Sequence, residues 1–287
     1  GIKNQSNAQK VGRLYETVKT ANNTANASAN KADIKKSLMR KGFNYQTATD
    51  IADALVASYN GQELTSAQSK LMESVKNSKV VQDAISNIVT NEQSTMGQRS
   101  QNIRDFNSDV KAGLFSKATG VSLDVAKEFV RGNNNAVKES LAESQYEVSA
   151  DGKTIDKNGN DVVITGVESI EGGKLILKTE NGTIDASDVA FATKDEAFVY
   201  SAVANMDVSA ASAWAIIKGF NQADGVSAQV YAIDIPLAYR YGKLNYKAGL
   251  QNLSLTPGQS AMAFQMGRDD AAVEATEQAS TESTISD

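Results

Sequence analysis

Apolar residues recur every three to four positions through the first half of the chain. Ile34, Leu38 and Met39 come first. Ile51, Leu55 and Val56, then Leu71 and Val75, then Val81, Ile85, Ile88 and Val89 follow. That spacing places each set on one face of a helix and predicts a helical zone over residues 1–144. The zone has no Pro. Gly42, Asn60-Gly61 and Gly120 stand where its helices should end, because Gly accepts the left-handed conformation that closes a helix. Thr65-Ser66-Ala67-Gln68 spells a capping box, with the Thr65 oxygen facing the Gln68 amide and the Gln68 side chain reaching back. Ser122 starts a further helix through Phe129, and residues 22–30, rich in Asn and Ala, form a loose joint.

From residue 145 to 192 the period changes to two. Residues 146–148, 153–156, 161–167, 174–179 and 183–185 alternate as strands do. Asp151-Gly152, Asn158-Gly159, Gly172-Gly173 and Asn181-Gly182 separate them and accept the positive φ angles of two-residue hairpin turns. Leu175 and Leu177 face one side; Lys174, Ile176 and Lys178 face the other. Five short strands predict a small antiparallel β-meander or barrel of the Tudor or KOW kind. Its acidic, aromatic-poor loops argue against a platform for nucleic-acid bases.

Helical spacing returns over residues 193–268. Thr193-Lys194-Asp195-Glu196 is a second capping box. Ser209 caps a helix whose apolar face carries Trp214 and Ile217 up to Gly219, and Ser227 caps another. Pro236 falls inside that helix and should kink it near Ala232 or split it. Thr256-Pro257-Gly258-Gln259 is a third box, with Pro at the first helical position. One hexapeptide is echoed: Ala238-Tyr239-Arg240-Tyr241-Gly242-Lys243 and Ala263-Phe264-Gln265-Met266-Gly267-Arg268. Each places an aromatic residue three positions before a Gly and a cation directly after it. The favoured reading is a repeated helix stop, with Gly ending the helix, the cation meeting its negative dipole end and the aromatic packed. The alternative is a docking surface built from Trp214, Tyr239, Tyr241 and Phe264. Residues 269–287 hold six acids and no Lys or Arg and are expected to be an acidic flexible tail. The predicted fold is α+β: a helical N-terminal bundle, a five-stranded β-module over 145–192, a helical C-terminal bundle and the tail.

Composition narrows the chemistry. The 287 residues include no Cys and no His, which excludes disulfides, thiolate metal sites and imidazole bases or ligands. Net charge is −5 overall, but residues 1–144 carry +5 and residues 145–287 carry −10. The basic half offers a candidate nucleic-acid patch of Lys31, Lys35, Lys36, Arg40 and Lys41; ordinary solvated helix surface accounts for the same residues. No apolar run is long enough to span a membrane. The chain opens at Gly1 without Met and is expected to be a soluble segment of a longer protein, cytoplasmic or virion-associated.

Motifs of catalysis fail on spacing. Gly152-Lys153-Thr154 has the ending of a phosphate loop, but Glu147 stands where its first Gly belongs. Asp156, Asn158 and Asn160 alternate as in a calcium loop, yet Asp161 and Val167 replace its Gly and Glu. Asp195 with Glu196 and Asp269 with Asp270 are neighbouring acids without a cleft. Ser28 with Lys31 and Ser108 with Lys111 have Ser-Lys spacing but lack the companion motifs.

Two resemblances remain. The Lys41-Gly42-Phe43 turn between the first two of three short helices in residues 33–75 resembles ubiquitin-associated three-helix bundles, although a packed helical hairpin explains the same residues. The stretch from Val162 to Arg268 resembles a module of large polyvalent proteins of phages and conjugative elements of gut Firmicutes. Ile164-Thr165-Gly166-Val167, Gly173-Lys174-Leu175, Asp185-Ala186-Ser187-Asp188-Val189-Ala190-Phe191 and Asp195-Glu196-Ala197-Phe198-Val199-Tyr200 carry the likeness. Gly219-Phe220, Ala238-Tyr239-Arg240 and Leu255-Thr256-Pro257-Gly258-Gln259 extend it, and Ser94-Thr95-Met96-Gly97-Gln98-Arg99 is similar to sequence preceding the module. In that family the module lies upstream of a zincin-like metallopeptidase domain. With no His there is no His-Glu-x-x-His, so the peptidase activity is not implied here. The resemblance implies a non-catalytic scaffold or interaction segment, without cofactor or metal. Its partners would be neighbouring domains of the same polypeptide or another protein. A nucleic-acid-binding module and a cryptic carboxylate or Ser-Lys hydrolase are the alternatives.

Overall fold

The computed structural model describes residues 30–90, 112, 122–131, 153–192, 194–204, 206–222 and 235–285. Helices α1 (Asn30–Arg40), α2 (Tyr45–Tyr59), α3 (Ser66–Val75), α4 (Lys79–Thr90) and α5 (Leu123–Arg131) come first. Strands β1 (Ile155–Asp156), β2 (Ile164–Glu171), β3 (Lys174–Thr179), β4 (Gly182–Asp185) and β5 (Val189–Ala190) follow. Helices α6 (Lys194–Ala204), α7 (Ala210–Gln222), α8 (Ile235–Lys247) and α9 (Gln259–Ile285) complete the α+β set. Among the described residues no helix is long and apolar enough to cross a membrane.

The chain divides into two compact units, each made of separated stretches; in one of them residues 27–101 fold with residues 237–287. In this helical unit α1 to α4 bury the predicted faces, with Ile34, Leu38, Ile51, Leu55, Val81, Ile85 and Ile88 nearly inaccessible. Three Schellman closures end helices here. Gly42 (φ +102°) closes α1, with Phe43 N–H donating to the Leu38 carbonyl; Gly61 and Gly249 do the same for α2 and α8. The Thr65 box forms as spelled, at 3.1 Å from the Gln68 amide to Thr65 Oγ1 and 3.0 Å from the Thr65 amide to Gln68 Oε1. Ser37, buried in α1, donates to the Ala84 carbonyl of α4 at 2.6 Å, which satisfies its hydroxyl. The later segment joins this body through backbone and side chain. The Gln251 amide donates to the Lys76 carbonyl at 3.1 Å, and Lys247 Nζ reaches the Tyr59 carbonyl at 3.2 Å.

Residues 102–236 belong to the second unit. Its strands do not form the expected five-stranded meander or barrel. They pair as a three-stranded antiparallel sheet, β2-β3-β4, and a separate two-stranded ladder, β1-β5, and no barrel closes among the described residues. The Gly172-Gly173 turn takes positive φ at both positions (57° and 78°), the geometry that matches strand twist in a tight hairpin. Leu175 and Leu177 are buried and Lys174 and Lys178 exposed, as the alternation required. The meander breaks after β4. Asp185 accepts from the Ser187 amide at 3.0 Å and starts a 3-10 turn over Ala186–Asp188, which turns the chain away from the sheet. The two residues of β5 then pair Ala190 with Ile155 and Val189 with Asp156. The expected strand at 146–148 lies outside the described residues.

Helix α7 packs on β2 and α6 on β3, covering the apolar side of the sheet. Phe191 stacks on Tyr200 of α6 at 4.6 Å between centroids. Burial, together with the nearby Glu196 charge, pushes the Tyr200 phenol well above its usual range. Ser209 caps α7 through the Ser212 amide (3.1 Å), and α7 continues past Gly219 to Gln222.

Two expectations about helix ends are corrected. Pro236 is the second residue of α8 as described, and the kink or split expected near Ala232 falls outside the described residues. The Ser227 cap and Ala232 lie outside the described residues, as does Thr193 of the second capping box. Helix α9 begins at Gln259, with the Met262 amide bonded to the Gly258 carbonyl, two residues beyond the start predicted at Pro257. The tail expected to be flexible continues α9 to Ile285. Residues 269–285 contain Ala, Glu, Gln, Ser and Thr but neither Gly nor Pro, so nothing in the sequence stops the helix.

Candidate functional site

The cationic patch is one surface of α1. Ile34, Ser37 and Leu38 face the core, so the helical period turns Lys35, Lys36, Met39 and Arg40 outward. Lys31 pairs with Asp53 of α2. Lys35 Nζ lies 3.5 Å from the centroid of the Tyr45 ring, and that ring is 61% exposed. A hydrogen bond from Lys35 and its charge lower the Tyr45 phenol from its ordinary value. Lys36 and Arg40 are half-buried and Lys41 is exposed in the turn. The five predicted cations thus run from the first turn of α1 to the turn beyond its end, and Met39 (41%) and Tyr45 are exposed along the same stretch.

The echoed hexapeptides do something else. Gly242 and Gly267 do not end their helices; both sit inside α8 and α9. A Cβ on Gly242 would stand 2.0 Å from the Phe264 carbonyl oxygen, and one on Gly267 would stand 2.1 Å from the Tyr239 carbonyl oxygen. The glycine of each echo thus receives the backbone at the aromatic position of the other, a reciprocal close crossing of two helices. The aromatics are interior, as the favoured reading had them and against the alternative of a docking surface: Tyr239, Tyr241 and Phe264 are each no more than 2% exposed. Trp214, in the other unit, is half-buried.

The cations of the echoes also cross over. Lys243, 1% exposed, bonds Glu274 of α9 at 2.7 Å, and Tyr239 Oη donates to Asp270 at 2.7 Å. Residues 239 and 243 on α8 thereby meet 270 and 274 on α9, one helical turn apart on each. Arg268 donates to Asn245 and to the Leu250 carbonyl, so it serves the C-terminal end of α8 and not that of its own helix. The sequence reading missed the Lys243–Glu274 pair. The echo, with its aromatic three positions before each Gly, was the signal available.

In the β-module a polar cavity of about 470 Å³ is lined by Asp156, Asn160, Asp161, Thr179, Asn181 and Thr183, with Val162, Val163 and Ile184. The Asp156 carboxylate accepts from the Asn158 and Asn160 amides (2.8 and 2.9 Å) and from Asn160 Nδ2 (3.0 Å). The Asn160 amide, foremost, holds its pKa below the ordinary carboxylate value. Both of its oxygens thus accept bonds within the turn, and the calcium-like spacing is that of an Asx turn. Among the described residues no group of three or more Asp and Glu is placed to hold a metal ion.

Thr154 Oγ1 lies 3.5 Å from Glu196, Asp269 accepts from Gln265, and Asp270 from Tyr239. Ser28, Ser108 and Lys111 of the Ser-Lys spacings lie outside the described residues. Compared with known protein families, curated proteins and solved structures, the chain matches none of them.

Proposed function

We propose that this chain is a non-catalytic scaffold or interaction segment of a large phage or mobile-element protein and positions neighbouring domains. The observation that supports this reading is the discontinuous helical unit. Residues 27–101 and 237–287 fold together, so the segment between them leaves and re-enters one body. Tethering at both ends restricts a domain far more than a single flexible linker does. Two of the polar side chains buried in this body, Lys243 and Asn245, are engaged in joining α8 to α9. The phage or mobile-element origin rests on the sequence resemblance alone.

The test is the parent gene together with turnover. A zinc-peptidase signature just downstream supports the scaffold reading. Hydrolysis of peptide, ester or phosphodiester substrates that a single point substitution abolishes would refute it. A second reading, nucleic-acid binding through Lys31, Lys35, Lys36, Arg40 and Lys41, draws on the exposed Tyr45 ring beside Lys35, a pairing used by single-strand binders. Its test is oligonucleotide affinity across a salt series; affinity without a falling slope rejects it.

A further inference from the structure

We propose that the polar cavity of the β-module binds a neutral, hydroxyl-rich ligand, a sugar residue. This inference does not depend on the scaffold reading. The cavity, about 470 Å³, lies between the turn that follows β1 and the hairpin that joins β3 to β4. That volume is in the range of small-molecule sites. Both walls are set before a ligand arrives. On the β1 side the Asp156 amide donates to the Asn160 carbonyl (2.8 Å), the Gly159 amide to the Asp156 carbonyl (2.9 Å) and the Val162 amide to the Thr154 carbonyl (2.8 Å). On the hairpin side Thr179 Oγ1 donates to the Gly182 carbonyl (2.9 Å) and accepts from the Asn181 amide (3.2 Å). The Glu180 amide donates to the Val163 carbonyl at 3.4 Å and ties one wall to the other. Walls fixed in this way lose little freedom on binding.

The fold leaves three polar groups of the lining unused. The Asn181 carboxamide, the Thr183 hydroxyl and Asn160 Oδ1 are bonded to no other group among the described residues. Together they offer donors and acceptors from both walls. Val163, 52% exposed, lies beside them with Val162 and Ile184 and supplies an aliphatic surface. A pyranose ring matches both features. A planar carboxamide donates to one ring hydroxyl and accepts from its neighbour, and the ring C–H groups rest on aliphatic side chains. Charge narrows the ligand further. Among the described residues the lining has two carboxylates and no Lys or Arg, so an anion would be repelled. Both carboxylates are already engaged, Asp156 within its turn and Asp161 with Lys153 at 3.1 Å, which disfavours a cation. The described lining has no aromatic ring on which a nucleic-acid base would stack.

The test is amide NMR titration of the full chain with D-glucose, N-acetyl-D-glucosamine, maltose and chitobiose, beside glycerol and glucose phosphate as controls. Saturable shifts at Val163, Asn181 and Thr183 with at least one neutral sugar are expected. Tighter binding of a disaccharide assigns the site to a glycan chain and equal binding to a free sugar; either supports the proposal. Thr183→Val and Asn181→Ala each remove one bonding group from an exposed position and should weaken binding about three- to tenfold. Unchanged amide resonances outside the β-module show that the variants fold. The proposal is overturned if no neutral sugar saturates its shifts, or if both variants bind as the wild type does. Glycerol shifts that match those of the sugars would mark an adventitious additive only and overturn it too. So would glucose phosphate that binds as tightly as glucose, because the lining would then tolerate an anion.

Discussion

Replacing Gly242 with Ala tests the close crossing of α8 and α9. The new Cβ would lie 2.0 Å from the Phe264 carbonyl oxygen, whereas ordinary contact begins at 3.4 Å. The helices must therefore part by about 1.4 Å. A shift of that size stretches the 2.7 Å bonds of Lys243 to Glu274 and Tyr239 to Asp270 beyond hydrogen-bonding range. Overpacking of this kind costs about 1–3 kcal/mol. Weakening two polar contacts, one to a buried ammonium, adds about 2 kcal/mol. The better helix propensity of Ala returns about 1 kcal/mol. The net loss is about 2–4 kcal/mol, read as a urea midpoint lowered by about 1–2 M in far-UV circular dichroism. Gly258→Ala is the control: its Cβ would meet nothing within 4 Å, and the midpoint should move by less than about 0.5 kcal/mol equivalent. Gly267→Ala should match Gly242→Ala. The double variant should cost much less than the two added together, since helices already parted by one Cβ have room for the second. A Gly242→Ala midpoint equal to or above that of the wild type would show that propensity wins and that the helices do not cross this closely.

Three further outcomes follow from the same contacts. Glu274→Ala leaves the Lys243 ammonium buried without its carboxylate and should destabilise the protein more than Lys243→Met, which removes the charge and keeps the volume; thermal melts of both variants compare them. Burial raises the Tyr200 pKa, so its contribution to stability is complete below the unfolded phenol value of about 10 and is lost as pH rises above it. Denaturation midpoints between neutral and strongly alkaline pH should fall for the wild type and fall less for Tyr200→Phe. Lys35→Met should raise the Tyr45 phenol back toward its ordinary value, followed by NMR titration of the ring carbons, while Lys41→Met should leave that titration where it is.

Local grammar made part of this fold legible. The Thr65 box, the Gly42 and Gly61 closures and the Gly172-Gly173 turn each depend on residues within six positions of one another, and each forms as spelled. What the sequence did not disclose is who pairs with whom at long range. Nothing near Val189 says that its partner is Asp156, and that pairing separates two small sheets from a barrel. Gly242 and Gly267 are ambiguous for the same reason. A glycine in a helical stretch serves equally as an end or as a place where another backbone approaches, and only the partner helix decides. Tyr239, Tyr241 and Phe264 are packed, as the favoured reading had the aromatics of the echo, and the alternative of a docking surface is the one their burial does not fit. The cationic residues of α1 could be read because they depend only on helical period, set by Ile34 and Leu38 on the opposite side.

The split helical unit also fixes an order of events during synthesis. Helices α1 to α4 leave the ribosome about 150 residues before α8 does. At about 5–20 residues per second they wait roughly 7–30 seconds for the segment that completes their body. The β-module strands, residues 155–190, emerge within that interval. The nascent chain thus holds the strands of its passenger while its carrier is still half built, and a chaperone that recognises apolar helix faces would meet α1 to α4 in that window.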